Sequence, residues 1–276
     1  MSLVVAKLHG ERISLVSDTK ITIHEDKKDA HHRTLRVYEF PLLKLAIVRR
    51  DLAIGVAGVD PVGALRTAAE HWDGPLETLC DALRKYTAGR DIGFVIAALN
   101  PARLWRIADG TTFQRTARGD AWEGEPAAYE EFQELYDDWK GVEEVKDDVD
   151  FRLMSSMQRL TTPFFAQHAT VGGHTIRVAT GPQGFCYVPD PTATLNSPLD
   201  SRMFFKLRYA VGVGETPGAF GCFVDGCQNQ IIFRHRQPWD PISVEASTIE
   251  ALVEQGASYG QFLEASPDHP FPFGDS

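Results

Sequence analysis

Met1-Ser2-Leu3-Val4-Val5-Ala6-Lys7-Leu8-His9-Gly10-Glu11-Arg12-Ile13-Ser14-Leu15-Val16-Ser17-Asp18 is the stretch whose reading decides the fold. Two arms rich in apolar and β-branched residues flank a His9-Gly10-Glu11 reversal, the pattern of a β-hairpin. Ser2 follows the initiator methionine, and a small second residue is what methionine removal requires. The expected mature chain therefore begins with a serine that carries a free amine. Hydroxyl and base then share one residue, because an α-amine titrates near roughly 8 and accepts a hydroxyl proton at neutral pH far better than a carboxylate does.

Working outward, Asp18 stands sixteen positions after Ser2, in Val16-Ser17-Asp18-Thr19-Lys20, and Lys44 stands fourteen positions before Gly58, in Gly55-Val56-Ala57-Gly58. In these intervals the sequence resembles the proteasome β-subunit and HslV-like family of N-terminal-nucleophile (Ntn) hydrolases. The resemblance implies that Ser2 is the nucleophile, Lys44 the charge beside it, Asp18 the partner of Lys44, and the Gly58 N–H an oxyanion donor. It also implies an α+β fold, a four-layer αββα sandwich in which two antiparallel sheets are flanked by helices, and cleavage of amide bonds, of peptides first. The expected assembly is a homo-oligomer, which in family members is usually a ring, and some relatives work with an ATPase partner. A catalytically silent structural subunit of the same fold and a small-molecule amidase are the rival readings.

The chain departs from the family in three places. The Asp-to-Lys interval is about ten residues long in excess, and the polar run His24 to Arg33 accounts for it as an inserted loop over 23–34. Where the family carries an Asp-x-x-Ser-Gly-Gly segment, this chain reads His168-Ala169-Thr170-Val171-Gly172-Gly173, so both polar supports are altered. The family's Gly-Ser-Gly before its third helix has Gly119-Asp120 or Gly124-Glu125 as candidates.

The remaining pattern predicts strands over Leu35–Phe40, Leu42–Val48 and Leu52–Ala57, then helices after Asp60-Pro61 and over Leu76 to Gly89. Strands follow at Ile92–Leu99, Leu104–Ala108 and Thr111–Thr116. Two helices are expected next, one through Tyr129 and Trp139 and one from Val142 to Leu160. Further strands are expected at Thr175–Ala179, Phe185–Val188, Phe204–Val211, Ala219–Val224 and Gln230–His235, and a last helix over Val244–Gln255. One domain over 1–276 is expected, with an extended C-terminal part over 189–276.

Composition bounds the rest: 276 residues, 43% hydrophobic and 24% charged, are ordinary for a globular chain. A net charge of −10 with no basic stripe argues against a nucleic-acid partner. The absence of a long apolar run and of a signal-type N-terminus argues against a membrane partner, so a cytoplasmic location is expected. Cys80, Cys186, Cys222 and Cys227 lack paired zinc spacing and are expected to be reduced thiols. The His24, Glu25, Asp26, His31 and His32 group is read as a charged loop rather than a metal site, Gly212 to Gly218 as a loop without dinucleotide spacing, and His168 and His174 as structural. No cofactor is expected.

Overall fold

The computed structural model describes residues 2–20, 23–28, 34–37, 42–115, 118–161, 168, 170–172, 175–182, 184–188, 193–196, 204–211, 219–224, 229–234 and 237–257. Strands β1 (Leu3–His9) and β2 (Arg12–Ser17) form the expected hairpin, with Val4 opposite Ser17 and His9 opposite Arg12. β3 (Ile23–Lys28) and β4 (Thr34–Val37) pair antiparallel. The run expected to be an inserted loop thus contains most of a hairpin. β5 (Leu45–Arg49) and β6 (Leu52–Gly58) lead to helices α1 (Pro61–Ala69) and α2 (Leu76–Thr87), and then to β7 (Ile92–Ala98), β8 (Arg103–Ala108) and β9 (Thr111–Arg115).

Next come β10 (Arg118–Gly124), α3 (Pro126–Asp138), α4 (Val149–Thr161), β11 (Ile176–Gly181) and β12 (Gly184–Tyr187). β10 is a strand that the pattern does not predict: two glycines and three charges in Arg118-Gly-Asp-Ala-Trp-Glu-Gly give it little intrinsic β preference. Pairing along the whole length of β1 overrides that preference, with Leu3 opposite Gly124 and His9 opposite Arg118. The helix expected from Val142 begins seven residues later. A short 3-10 turn ends at Gly141, and the Asp148 carboxylate accepts the Phe151 N–H at 2.9 Å, which starts the helix at Val149.

The C-terminal part forms β13 (Ala193–Asn196), β14 (Phe204–Val211), β15 (Ala219–Val224), β16 (Asn229–Arg234), β17 (Gln237–Glu245) and α5 (Ile249–Ala257). The helix expected from Val244 is therefore corrected: Val244 and Glu245 finish β17. Thr248 caps α5, its hydroxyl accepting the Ala251 N–H at 3.1 Å. The expected loop over Gly212–Gly218, the proline-rich tail, His31, His32, His174 and Cys227 lie outside the described residues.

These strands make three five-stranded antiparallel sheets, ordered β10-β1-β2-β11-β12, β5-β6-β7-β8-β9 and β13-β14-β15-β16-β17. Alternation along the strands decides which side chains meet. Val4, Ala6, Leu8, Ile13 and Leu15 of the first sheet share one apolar cluster with Leu45, Ile47, Ala53, Val95 and Ala97 of the second. The opposite face of the second sheet packs on α1 and α2 through Ile54, Phe94, Leu65, Trp72 and Leu83. The opposite face of the first packs on α3 and α4 through Val5, Val16, Phe132, Leu153 and Met157. Each large aliphatic side chain buried in these clusters contributes about 1.5–3 kcal/mol. The third sheet has its own small cluster with α5, and Trp239 of β17 reaches the α1–α2 cluster, with the Arg66 guanidinium 6.0 Å from its ring. The described residues thus form a mixed α+β fold in which the first two sheets face each other and the site lies where β1 begins.

Candidate active site

Asp18 follows directly on β2 and is fully buried. Its Oδ1 accepts the Leu3 N–H at 3.0 Å, and its Oδ2 accepts the Lys20 and Gly172 N–H groups, each at 3.2 Å. The Lys44 ammonium completes the set, donating to Oδ2 at 2.8 Å and to the Lys20 carbonyl at 2.6 Å. Lys44 sits just before β5 and is also fully buried. Chain direction explains the meeting: the Leu42 N–H donates to the Thr19 carbonyl at 3.0 Å, which lays the segment before β5 beside the end of β2.

Burial pushes the Lys44 pKa down from its ordinary 10.5, because an ammonium out of water loses its hydration; attraction to Asp18 opposes that shift, and nearby Lys20 adds to it. The pair is the only salt bridge between two fully buried side chains among the described residues. Such a pair contributes little net stability, yet removing one partner leaves a stranded charge.

Ser2 is buried at 2% exposure and precedes Leu3, the residue whose N–H is held by Asp18. The Ser2 carbonyl accepts the Glu125 N–H at 2.9 Å. That approach requires glycine at position 124: φ is +126° there, and a Cβ would overlap the Ser2 carbonyl.

Gly58 ends β6 with φ +139°, and a Cβ there would overlap the backbone of Asp91 and Ile92. Its described contacts are with the start of β7. The structure therefore gathers Asp18 and Lys44 next to Leu3 and Ser2, and gives Gly58 a packing reason of its own.

Residues to which the sequence reading assigns no catalytic role complete the surroundings. The two ring nitrogens of His168 face Glu125 Oε1 at 3.3 Å and Glu131 Oε2 at 2.8 Å, and the Thr170 hydroxyl donates to Glu125 Oε2. The Gly172 carbonyl accepts the N–H groups of Thr19 and Lys20 at 3.3 and 3.1 Å. Val171, at the place of the family's Ser, is buried in the α3–α4 cluster. Gly124-Glu125, one candidate for the family's Gly-Ser-Gly, was the available sequence signal for this corner. Arg106 and the buried Glu123 form a further ion pair nearby in sequence, where burial pushes the Glu123 pKa up against the pull of Arg106.

No group of three or more His, Cys, Asp or Glu side chains among the described residues is arranged to hold a metal ion. No helix among them is long and apolar enough to cross a membrane.

No protein-family model matches the chain, and no curated protein matches it significantly. Among solved structures it is similar to eukaryotic HslV from Trypanosoma brucei, at 13% sequence identity and a TM-score of 0.46, over 64% of this chain and 98% of that one. At that identity residues are not matched one to one.

Proposed function

We propose that this chain is a proteasome-like Ntn hydrolase of four-layer αββα architecture that cleaves amide bonds, of peptides first, through Ser2 once Met1 is removed. One observation carries the reading: a buried carboxylate, Asp18, holds both the Leu3 N–H next to the nucleophile and the Lys44 ammonium. A hydrophobic core gains nothing from such an arrangement, since apolar side chains of the same volume would be as stable or more so.

The chemistry follows from what each group offers. With its amine free, Ser2 would pass its hydroxyl proton to its own α-nitrogen while Oγ attacks the substrate carbonyl, and the amine would return that proton to the leaving nitrogen. An acyl ester on Ser2 forms and water then hydrolyses it. Lys44 favours the ionised oxygen and, by like-charge repulsion, the neutral amine. Asp18 keeps the ammonium in place. Gly58 is proposed as an oxyanion donor; one such donor contributes about 2.7–4 kcal/mol to the transition state. The assembly would be a homo-oligomer in the cytoplasm, with an ATPase partner as an open element of the proposal.

A second reading, a catalytically silent subunit of the same fold, is favoured by one observation: His168 and Val171 stand where the family resemblance would put polar supports.

Intact-mass and peptide-level mass spectrometry before and after incubation with a peptide epoxyketone separates the two readings. That reagent needs both a hydroxyl and a free amine on one N-terminal residue. Loss of Met1 and a single adduct on Ser2, absent in Ser2→Ala, is the expected result. Met1 retained and no adduct would refute the enzyme and leave the silent subunit.

A further inference from the structure

Following the hydrogen bonds away from Ser2 in both directions leads back to Ser2. In one direction, the Leu3 N–H donates to Asp18, whose Oδ2 accepts the Gly172 N–H at 3.2 Å. In the other, the Ser2 carbonyl accepts the Glu125 N–H at 2.9 Å, and the Glu125 carboxylate reaches His168 and Thr170. Thr170 is two residues from Gly172, so the path closes.

Glu125 occupies the position before α3, where Ser, Thr, Asp or Asn commonly caps the helix. Its side chain makes no capping hydrogen bond. Helix capping therefore does not explain a carboxylate there, whereas the two bonds to the 168–170 segment do. The polar contacts of its described residues run to Glu125 and Glu131 on one side and to Asp18, Thr19 and Lys20 on the other. Glu131 adds a second carboxylate from α3 on the far ring nitrogen of His168.

We infer that Glu125 is a positioning residue for Ser2: through its N–H and its Oε2 it closes a hydrogen-bonded ring, Ser2–Leu3–Asp18–Gly172–Thr170–Glu125, that fixes the first residues of β1 relative to the Asp18–Lys44 pair, while its Oε1 holds His168 beside the ring. The geometric part stands alone; its catalytic consequence rests on the function proposed above.

Two readouts on Glu125→Ala and Glu125→Gln test it. The first is backbone amide hydrogen exchange at Gly172, with Phe94 in the middle of β7 as a reference for global opening. In Glu125→Ala, Gly172 is expected to exchange at least ~10-fold faster with Phe94 unchanged, and Glu125→Gln, which keeps one acceptor, should fall between. The second is epoxyketone labelling of Ser2, split into inhibitor affinity and limiting rate. Affinity should hold while the limiting rate drops by roughly 10–100-fold, as misplacement of a reacting group produces. Gly172 exchange unchanged in Glu125→Ala, or raised only in step with Phe94, would overturn the ring. Should the wild-type chain form no adduct, the proposed function fails, while the exchange comparison still decides the role of Glu125. If Glu125→Ala does not fold, Glu125→Gln gives the same reading at smaller amplitude.

Discussion

Removing either member of the Asp18–Lys44 pair should have unequal costs, and the structure fixes the order. Both side chains are fully buried, so each single change strands a group that has no water to turn to. In Lys44→Met the carboxylate keeps three backbone donors, from Leu3, Lys20 and Gly172, and loses only the ammonium. The cost should lie at the low end of the 3–5 kcal/mol range for a broken buried pair, about 3 kcal/mol. In Asp18→Ala the ammonium keeps only the Lys20 carbonyl and has no counter-charge, and the Leu3 and Gly172 N–H groups lose their acceptor while the Lys20 N–H keeps the Gly172 carbonyl; each such loss costs about 1–3 kcal/mol when water cannot replace it. The total should exceed about 5 kcal/mol, comparable to the whole stability of many domains. The double variant leaves no ammonium without a partner and should cost less than Asp18→Ala alone, which makes the coupling larger than about 3 kcal/mol. Urea unfolding followed by fluorescence of the five tryptophans measures all four chains. A Lys44→Met cost equal to or above that of Asp18→Ala, or two costs that simply add in the double variant, would refute the pairing.

Three further outcomes are expected. Burial, with Asp81 and Glu77 nearby, pushes the Cys80 thiol up to about 11, so at pH 8 only about one thiol in a thousand is thiolate; iodoacetamide labelling of Cys80 should rise about tenfold per pH unit up to pH 10, and a fast plateau at pH 8 would contradict this. At Asp120, burial alone would raise the pKa, but hydrogen bonds from Lys7 and Tyr129 outweigh it and hold the carboxyl below 3.8; the stability it contributes is present above that value and lost as pH falls through the lower folded value, so Asp120→Asn should be clearly less stable at pH 6, and its deficit should shrink as the pH is taken below 3.8 in chemical denaturation. Gly124→Ala should cost about 2 kcal/mol or more in the same assay, because a side chain at φ +126° is strained and would overlap the Ser2 carbonyl; a neutral effect would mean that Glu125 does not approach Ser2 as described.

The hairpin at the start, the two helices after Asp60 and the four-strand run from Leu52 to Arg115 were legible because period and punctuation agree there. Asp60 caps α1 through the Gly63 N–H, and the apolar spacing of α2 runs unbroken from Leu76 to Leu83. β10 was not legible, since its only argument for being a strand is the length of β1 beside it, over a hundred residues away. The run from Val142 misleads because Val142 and Val145 keep helical spacing while Asp148 supplies the start signal later. The same happens in reverse at Val244, where apolar spacing carries on from a strand into α5 across the Thr248 cap. In the site, Asp18 and Lys44 could be selected through the family resemblance that their intervals carry. The bond between Glu125 and Thr170 could not, because it joins residues 45 positions apart with no pattern that links them.

The order of strands also sets the order of events in folding. The second sheet is built from neighbours: β5, β6, β7, β8 and β9 pair in sequence, with only the α1–α2 excursion between them. The first sheet waits for distant partners, since β1 needs β10 and β2 needs β11, which begins at Ile176. Pairings of such separation close late, after local ones have formed. A chain emerging from the ribosome would thus have its meander of β5–β9 well before it can seat Gly172 against Asp18. Until then Asp18 lacks the Gly172 N–H, and a partly made chain carries Ser2 with this corner unfinished.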